Sequence, residues 1–103
     1  MKETPAPSAA RMVEDVIGCK WSLSVIACVR DGVRRPGAMA QRIPGISTKV
    51  LNERLTKLRR YGILEKIVFD EKPLHTEYRL TPFGRRFVSV LDRIERLERE
   101  PSP

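Results

Sequence analysis

The 103-residue chain carries 20 Lys and Arg against 13 Asp and Glu, a formal net charge of +7. That length suits one domain with a modest core, and the basic balance points first to polyanions, nucleic acid or an acidic membrane face. No apolar run approaches the ~18 residues of a membrane span, and the N-terminus has no apolar signal core, so a cytoplasmic protein without membrane contact is expected.

Residues 1–8, with Pro5 and Pro7, read as a disordered tail, and a single folded domain is expected over 9–100 with 101–103 as a second tail. A first helix starts near Ala9, because Ala9, Met12, Val13, Val16 and Ile17 share one helical face. Gly18 ends it. A second helix runs from about Lys20 to Arg30 and is apolar nearly all round, with Trp21, Val25, Ile26, Cys28 and Val29. It is the expected core helix, and Asp31-Gly32 stops it.

Cys19 and Cys28 lie nine residues apart, which is neither a redox CxxC nor a metal spacing, and the single His75 does not complete a zinc site. Nine helical residues span about 13 Å, too far for a disulfide. Cys28 reads as a small core residue. No metal and no cofactor are expected.

Val33-Arg34-Arg35 is short and extended, with Arg34 and Arg35 as candidate phosphate contacts. Pro36 suits the first position of a short helix ending near Arg42. Pro44-Gly45 makes a turn, Ile46 is a staple residue and Ser47 an N-cap. Leu51, Leu55 and Leu58 then form one stripe, with Lys49, Asn52, Glu53, Thr56 and Arg60 opposite and Gly62 as the stop. Two helices joined by a glycine-containing turn make a helix-turn-helix, whose second helix enters the major groove. Thr48, Lys49, Asn52 and Thr56 lie where a helix reads base edges. Arg59 and Arg60 lie where it meets phosphates. Arg54 sits at the stripe margin, where it can pair with a carboxylate.

Ile63 to Phe69 reads as a strand with no clear buried face, Asp70 to Pro73 as a polar tip, and Thr76 to Leu80 as a second strand. Such a hairpin after a recognition-type helix is a wing, and Lys72 and His75 are its candidate backbone or minor-groove contacts. Thr81 and Pro82 start a last helix. There Phe83, Phe87, Val90, Ile94 and Leu97 recur at alternating steps of four and three, a heptad seam amid mixed charge. A seam this short suits packing against a second copy. Val13, Val16 and Ile17 with Phe87, Val90, Leu91, Ile94 and Leu97 are the candidate dimerisation residues.

The order and spacing of these motifs resemble the HxlR-type winged helix-turn-helix regulators, relatives of the MarR group. The resemblance spans Val16 to Leu91. It rests on Ile17-Gly18-Cys19-Lys20-Trp21, on Gly32 and Arg35, on Ile43-Pro44-Gly45-Ile46-Ser47, and on Lys49, Leu51, Arg54, Leu55, Leu58 and Gly62. The run Pro73 to Thr81 and Gly84 complete it. It departs at Pro36 and Ala38, where the family usually has Phe and Glu, and at His75, where the family often has Arg. Redox-sensing members carry a cysteine near the start of the first helix, where this chain has Ala9-Ala10-Arg11. Cys19 stands elsewhere, two residues before Trp21, so the family's thiol-switch role does not carry over to it by position, and it is a redox candidate on its own chemistry.

The expected fold is α+β and mainly helical: a winged helix-turn-helix with a two-stranded wing and N- and C-terminal dimerisation helices. The implied function is a double-stranded-DNA-binding regulator, in the first instance a repressor, acting as a homodimer on an inverted repeat and biased by a small-molecule effector. Two other readings fit the residues, a winged protein-interaction module and a thiol-sensing regulator through Cys19. No nucleophile–base pair, paired carboxylates or glycine-rich phosphate loop supports an enzyme.

Overall fold

A computed structural model describes residues 7–101. The order of elements is α1 (Ala9–Ile17), α2 (Lys20–Arg30), α3 (Pro36–Arg42), α4 (Thr48–Arg60), β1 (Leu64–Phe69), β2 (His75–Leu80) and α5 (Pro82–Arg99). Residues 1–6, 102 and 103 of the expected tails lie outside the described residues. Ser8 does not belong to a tail. Its Oγ accepts from the Arg11 N–H at 3.2 Å and caps α1.

α2 lies at the centre as its composition requires, with Val25, Ile26, Cys28 and Val29 all buried. Around it pack Met12 and Val16 of α1, Met39 of α3, and Leu51, Leu55 and Leu58 of α4. Each of these large side chains contributes about 2 kcal/mol on leaving water.

β1 and β2 pair antiparallel from Leu64 opposite Leu80 to Phe69 opposite His75. Leu64 is the buried end of β1, while Val68 is exposed. The extended segment after α2 joins this sheet through the Tyr78 N–H, which donates to the Arg34 carbonyl at 2.8 Å.

The start of α5 is clamped to the turn after α4. Gly62, at φ 76°, adopts the left-handed geometry that closes α4, and the Ile63 N–H returns to the Leu58 carbonyl at 3.0 Å. The Thr81 N–H donates to the Ile63 carbonyl at 3.1 Å, and Thr81 Oγ1 donates to the Gly62 carbonyl while accepting from the Gly84 N–H. Gly84 passes so close to this turn that a Cβ on it would stand 2.0 Å from the Ile63 carbonyl oxygen. The direction in which α5 leaves the body is therefore set by backbone contacts. No helix among the described residues is long and apolar enough to cross a membrane.

Candidate nucleic-acid interface

The interface is built on α4. Ser47 Oγ accepts from the Val50 N–H at 3.1 Å and starts the helix where the sequence predicts. Leu51, Leu55 and Leu58 are 2%, 1% and 0% exposed, so the apolar stripe is wholly used inside the monomer. With about 3.6 residues per turn, Lys49, Asn52, Glu53, Thr56 and Arg60 form an outward row, and they line one shallow groove on the protein surface. Among the described residues none of these five has an ion pair or a side-chain hydrogen bond. Thr48 and Arg59 flank the row and are also exposed.

The other flank is tethered. Asp15 of α1 accepts from Lys57 Nζ at 3.0 Å and from the Tyr61 hydroxyl at 2.5 Å. The Lys57 bond, then the Tyr61 bond, hold the Asp15 carboxyl below its ordinary range against the opposing effect of burial. The same contact raises Tyr61. Arg54, a candidate to pair with a carboxylate, has no such partner within ion-pair distance among the described residues. Its Nε is buried without a hydrogen-bond partner among the described residues, while Lys57 and Tyr61 occupy Asp15.

Three sequence expectations shift. His75 begins β2 and is not at the wing tip: its ring stacks on Phe69 at 4.6 Å, and Nε2 lies 3.2 Å from the Glu77 carboxylate. It is half-buried among those neighbours, whereas Lys72 is exposed in the loop between the strands. Arg34 lies at the base of the hairpin with Arg30, Arg79 and Arg85, away from the outward row of α4. Arg35 is exposed just before α3, where its backbone forms the N-cap.

The third shift concerns the candidate dimer surface. Val16, Phe87 and Leu91 are 1%, 5% and 8% exposed and belong to the monomer core. Val88, outside the heptad seam, is buried with them. The remaining candidates are available in a different combination. Ile17, Val90 and Leu97 are exposed, Val13 and Ile94 are half-buried, and Leu23 of α2 joins them. Ile17, Leu23 and Ile94 meet around a small hollow of about 100 Å³. Leu23 carried no signal of its own because α2 is apolar on most sides.

Cys19 is half-buried and forms the backbone N-cap of α2, while Cys28 is buried, and both are free thiols. Burial pushes Cys19 up, but the Ser22 hydroxyl and backbone N–H and the Arg54 charge outweigh it and hold the thiol below its ordinary value. Burial dominates at Cys28 and raises it. Trp21 is half-buried against the core, with Lys20 Nζ 4.7 Å over its ring.

The comparisons bear on the family and the fold. A family model described as HxlR-like helix-turn-helix matches residues 16–101. An uncharacterized HTH-type transcriptional regulator of Synechocystis is 39% identical over 85 residues, covering 82% of this chain and 63% of the relative. The reduced form of the transcriptional regulator YodB from Bacillus subtilis superposes with a TM-score of 0.73 at 30% identity, covering 82% of this chain and 83% of that one. A MarR-family regulator from Enterococcus faecalis superposes with a TM-score of 0.80 at 26% identity, covering 95% and 89%. The chain spans 63%, 62% and 61% of the length of the first three curated relatives it matches.

Proposed function

Because this chain belongs to the HxlR-like helix-turn-helix family, we propose that it is a transcriptional regulator that binds double-stranded DNA through α4. The observation that carries this reading is the row Lys49, Asn52, Glu53, Thr56 and Arg60, exposed and without side-chain partners among the described residues, above a fully buried leucine stripe. Polar groups in a row have their hydrogen-bonding capacity free for a ligand. Asn bonds adenine in a bidentate manner, Lys reaches guanine, Glu accepts from the cytosine amino group and Thr meets the thymine methyl. Arg59 and Arg60 near the end of the helix, Ser47 at its start, and Arg35 and Lys72 around it supply phosphate contacts, while Thr48 joins the base-reading half.

The protein acts as a homodimer. Ile17, Leu23, Val90, Ile94 and Leu97 supply the apolar face of the contact, and the two α4 helices enter successive major grooves on an inverted repeat, about 34–36 Å apart. Occupancy of a promoter by such a dimer represses it, and no step of this mechanism needs catalysis or a cofactor.

A mobility-shift assay against genomic fragments tests the reading. Shifted fragments with affinity falling steeply with salt support it. No shifted fragment at low salt favours instead a winged interaction module, with α4 docking on an acidic protein.

The lowered Cys19 thiol favours a second reading, regulation by oxidation, and the relative YodB has been solved in a reduced form. Equal DNA affinity before and after peroxide treatment, in protein shown by mass to be modified at Cys19, would remove it.

A further inference from the structure

α5 is held to the body by attachments of different kinds. Backbone contacts at Thr81 and Gly84 fix its first turn, and Phe87, Val88 and Leu91 bury the turns that follow. Leu91 is the last buried residue of the helix. Just past it, Arg30 Nη1 and Nη2 donate to the two Asp92 carboxylate oxygens at 2.8 and 2.9 Å. Arg30 stands in the last turn of α2, 62 positions earlier in the chain.

A carboxylate on a helix surface ordinarily pairs with a cation three or four residues along its own helix. Arg96 stands at that spacing from Asp92, and Glu95 does take Arg99 in this way at 3.9 Å. Asp92 instead takes its partner from another element. Two parallel bonds between planar groups fix an angle as well as a distance. The bond to Arg30 also holds the Asp92 carboxyl below its ordinary range and raises the Arg30 guanidinium.

The pair joins two elements that share the apolar face left open by the monomer. Ile17 of α1 and Leu23 of α2 form one part of that face, and Val90, Ile94 and Leu97 of α5 form the other. Asp92 falls between Val90 and Ile94 in α5, and Arg30 lies on the same helix as Leu23, about 10 Å along it. α4 in turn packs on α2 in the core. A path of direct contacts therefore runs from α5 through Arg30 to α2, and from α2 to the helix that carries the outward polar row.

We infer that Arg30 and Asp92 are positioning residues for DNA recognition. Their ion pair sets the angle of the outer part of α5 on α2, and with it the separation of the two α4 helices, which is the half-site spacing the dimer accepts. The pair acts through the shape of the dimer face and not through a contact to DNA. One base pair more or less between half-sites displaces them by about 3.4 Å and turns them by about 35° around the duplex. A dimer whose α5 angle is fixed discriminates against that change, and a loosened dimer tolerates it. The inference rests on the proposed homodimer and on DNA reading by α4, and each of these is measured apart from it.

The test is binding of the full chain to a selected operator and to versions one base pair longer or shorter between half-sites. Wild type should favour the selected spacing by about tenfold or more. Arg30→Gln, Asp92→Asn and the two together should each reduce that preference to about threefold or less, and the double variant no further than either single one, because all three break the same bond. Affinity for one isolated half-site and the melting midpoint should stay close to wild type, since an exposed pair adds little to folding. Arg42→Gln, which breaks the exposed pair of Arg42 with Asp31 away from α5, should leave the preference intact. A wild type indifferent to spacing, an unchanged preference in Arg30→Gln, additive losses in the double variant, or an equal loss in Arg42→Gln would overturn the inference. No shift on any fragment would refute the DNA reading instead. The separation of the α4 helices is then read without DNA, from the distance between nitroxides on Glu53→Cys of the two protomers in a Cys19→Ser, Cys28→Ala background. A narrow distance distribution that broadens or shifts on Arg30→Gln supports the positioning role, and an unchanged one refutes it. A wild type that sediments as a monomer would remove the dimer and this inference with it.

Discussion

α4 and α5 are both amphipathic and arginine-bearing, yet they spend their apolar residues differently. α4 buries Leu51, Leu55 and Leu58 completely and presents only polar groups outward. α5 buries Phe87, Val88 and Leu91 but leaves Val90 and Leu97 in water at 47% and 66% exposure. A helix with no apolar surface left has a polar partner or none. A helix with apolar surface to spare, beside Ile17 and Leu23 of neighbouring helices, has a face that the monomer does not complete. The same contrast separates the proposed DNA reader from the proposed dimer contact.

Leucine truncation breaks the comparison most strongly. Leu55→Ala should destabilise the chain by about 2–5 kcal/mol through the cavity it leaves, while Leu97→Ala should change monomer stability by less than about 0.5 kcal/mol. Urea unfolding of the two variants, at concentrations low enough to dissociate any dimer, checks both. Equal losses would mean that α5 packs on the monomer along its whole length.

Val90→Asp with Leu97→Asp should next convert the dimer to a folded monomer, because each change places a charge in an apolar contact. Sedimentation equilibrium reads the mass directly. A variant that stays dimeric would move the contact off this face.

A smaller effect distinguishes the tethered flank of α4 from its free row. Asp15 is held below its ordinary range by Lys57 first and Tyr61 second. Its contribution is thus complete above the unfolded carboxyl value of about 4 and fades as pH falls through the lower folded value. Asp15→Asn should cost about 1 kcal/mol near neutrality, discounted for partial exposure, which is about 4–8 °C in the melting midpoint. The difference from wild type should shrink progressively below about pH 4. A difference independent of pH would show that the carboxylate charge is not what holds α4 to α1.

Much of this was legible in the amino-acid order. The cap at Ser47, the leucine stripe, the stop at Gly62 and the Thr81-Pro82 start of α5 are local signals, and each appears where expected. What was not legible depends on how elements close on one another. His75 reads as a tip residue until strand register places it opposite Phe69. Phe87 and Leu91 read as dimerisation residues, but with the start of α5 clamped at Thr81 and Gly84 they are buried in the monomer. The arginines at the hairpin base, separated by up to 55 positions from Arg30 to Arg85, assemble only when α2, the sheet and α5 meet.

The central claim is that the outward row of α4 reads base edges in duplex DNA. The most direct measurement is the affinity of wild type and of Lys49→Ala with Asn52→Ala for a selected genomic site and for random duplex at one fixed salt concentration. The double variant should lose at least about tenfold for the selected site, since a bidentate base contact is worth about 1–3 kcal/mol, with a much smaller loss on random duplex and an unchanged melting midpoint. Unchanged affinity for the selected site would contradict the account.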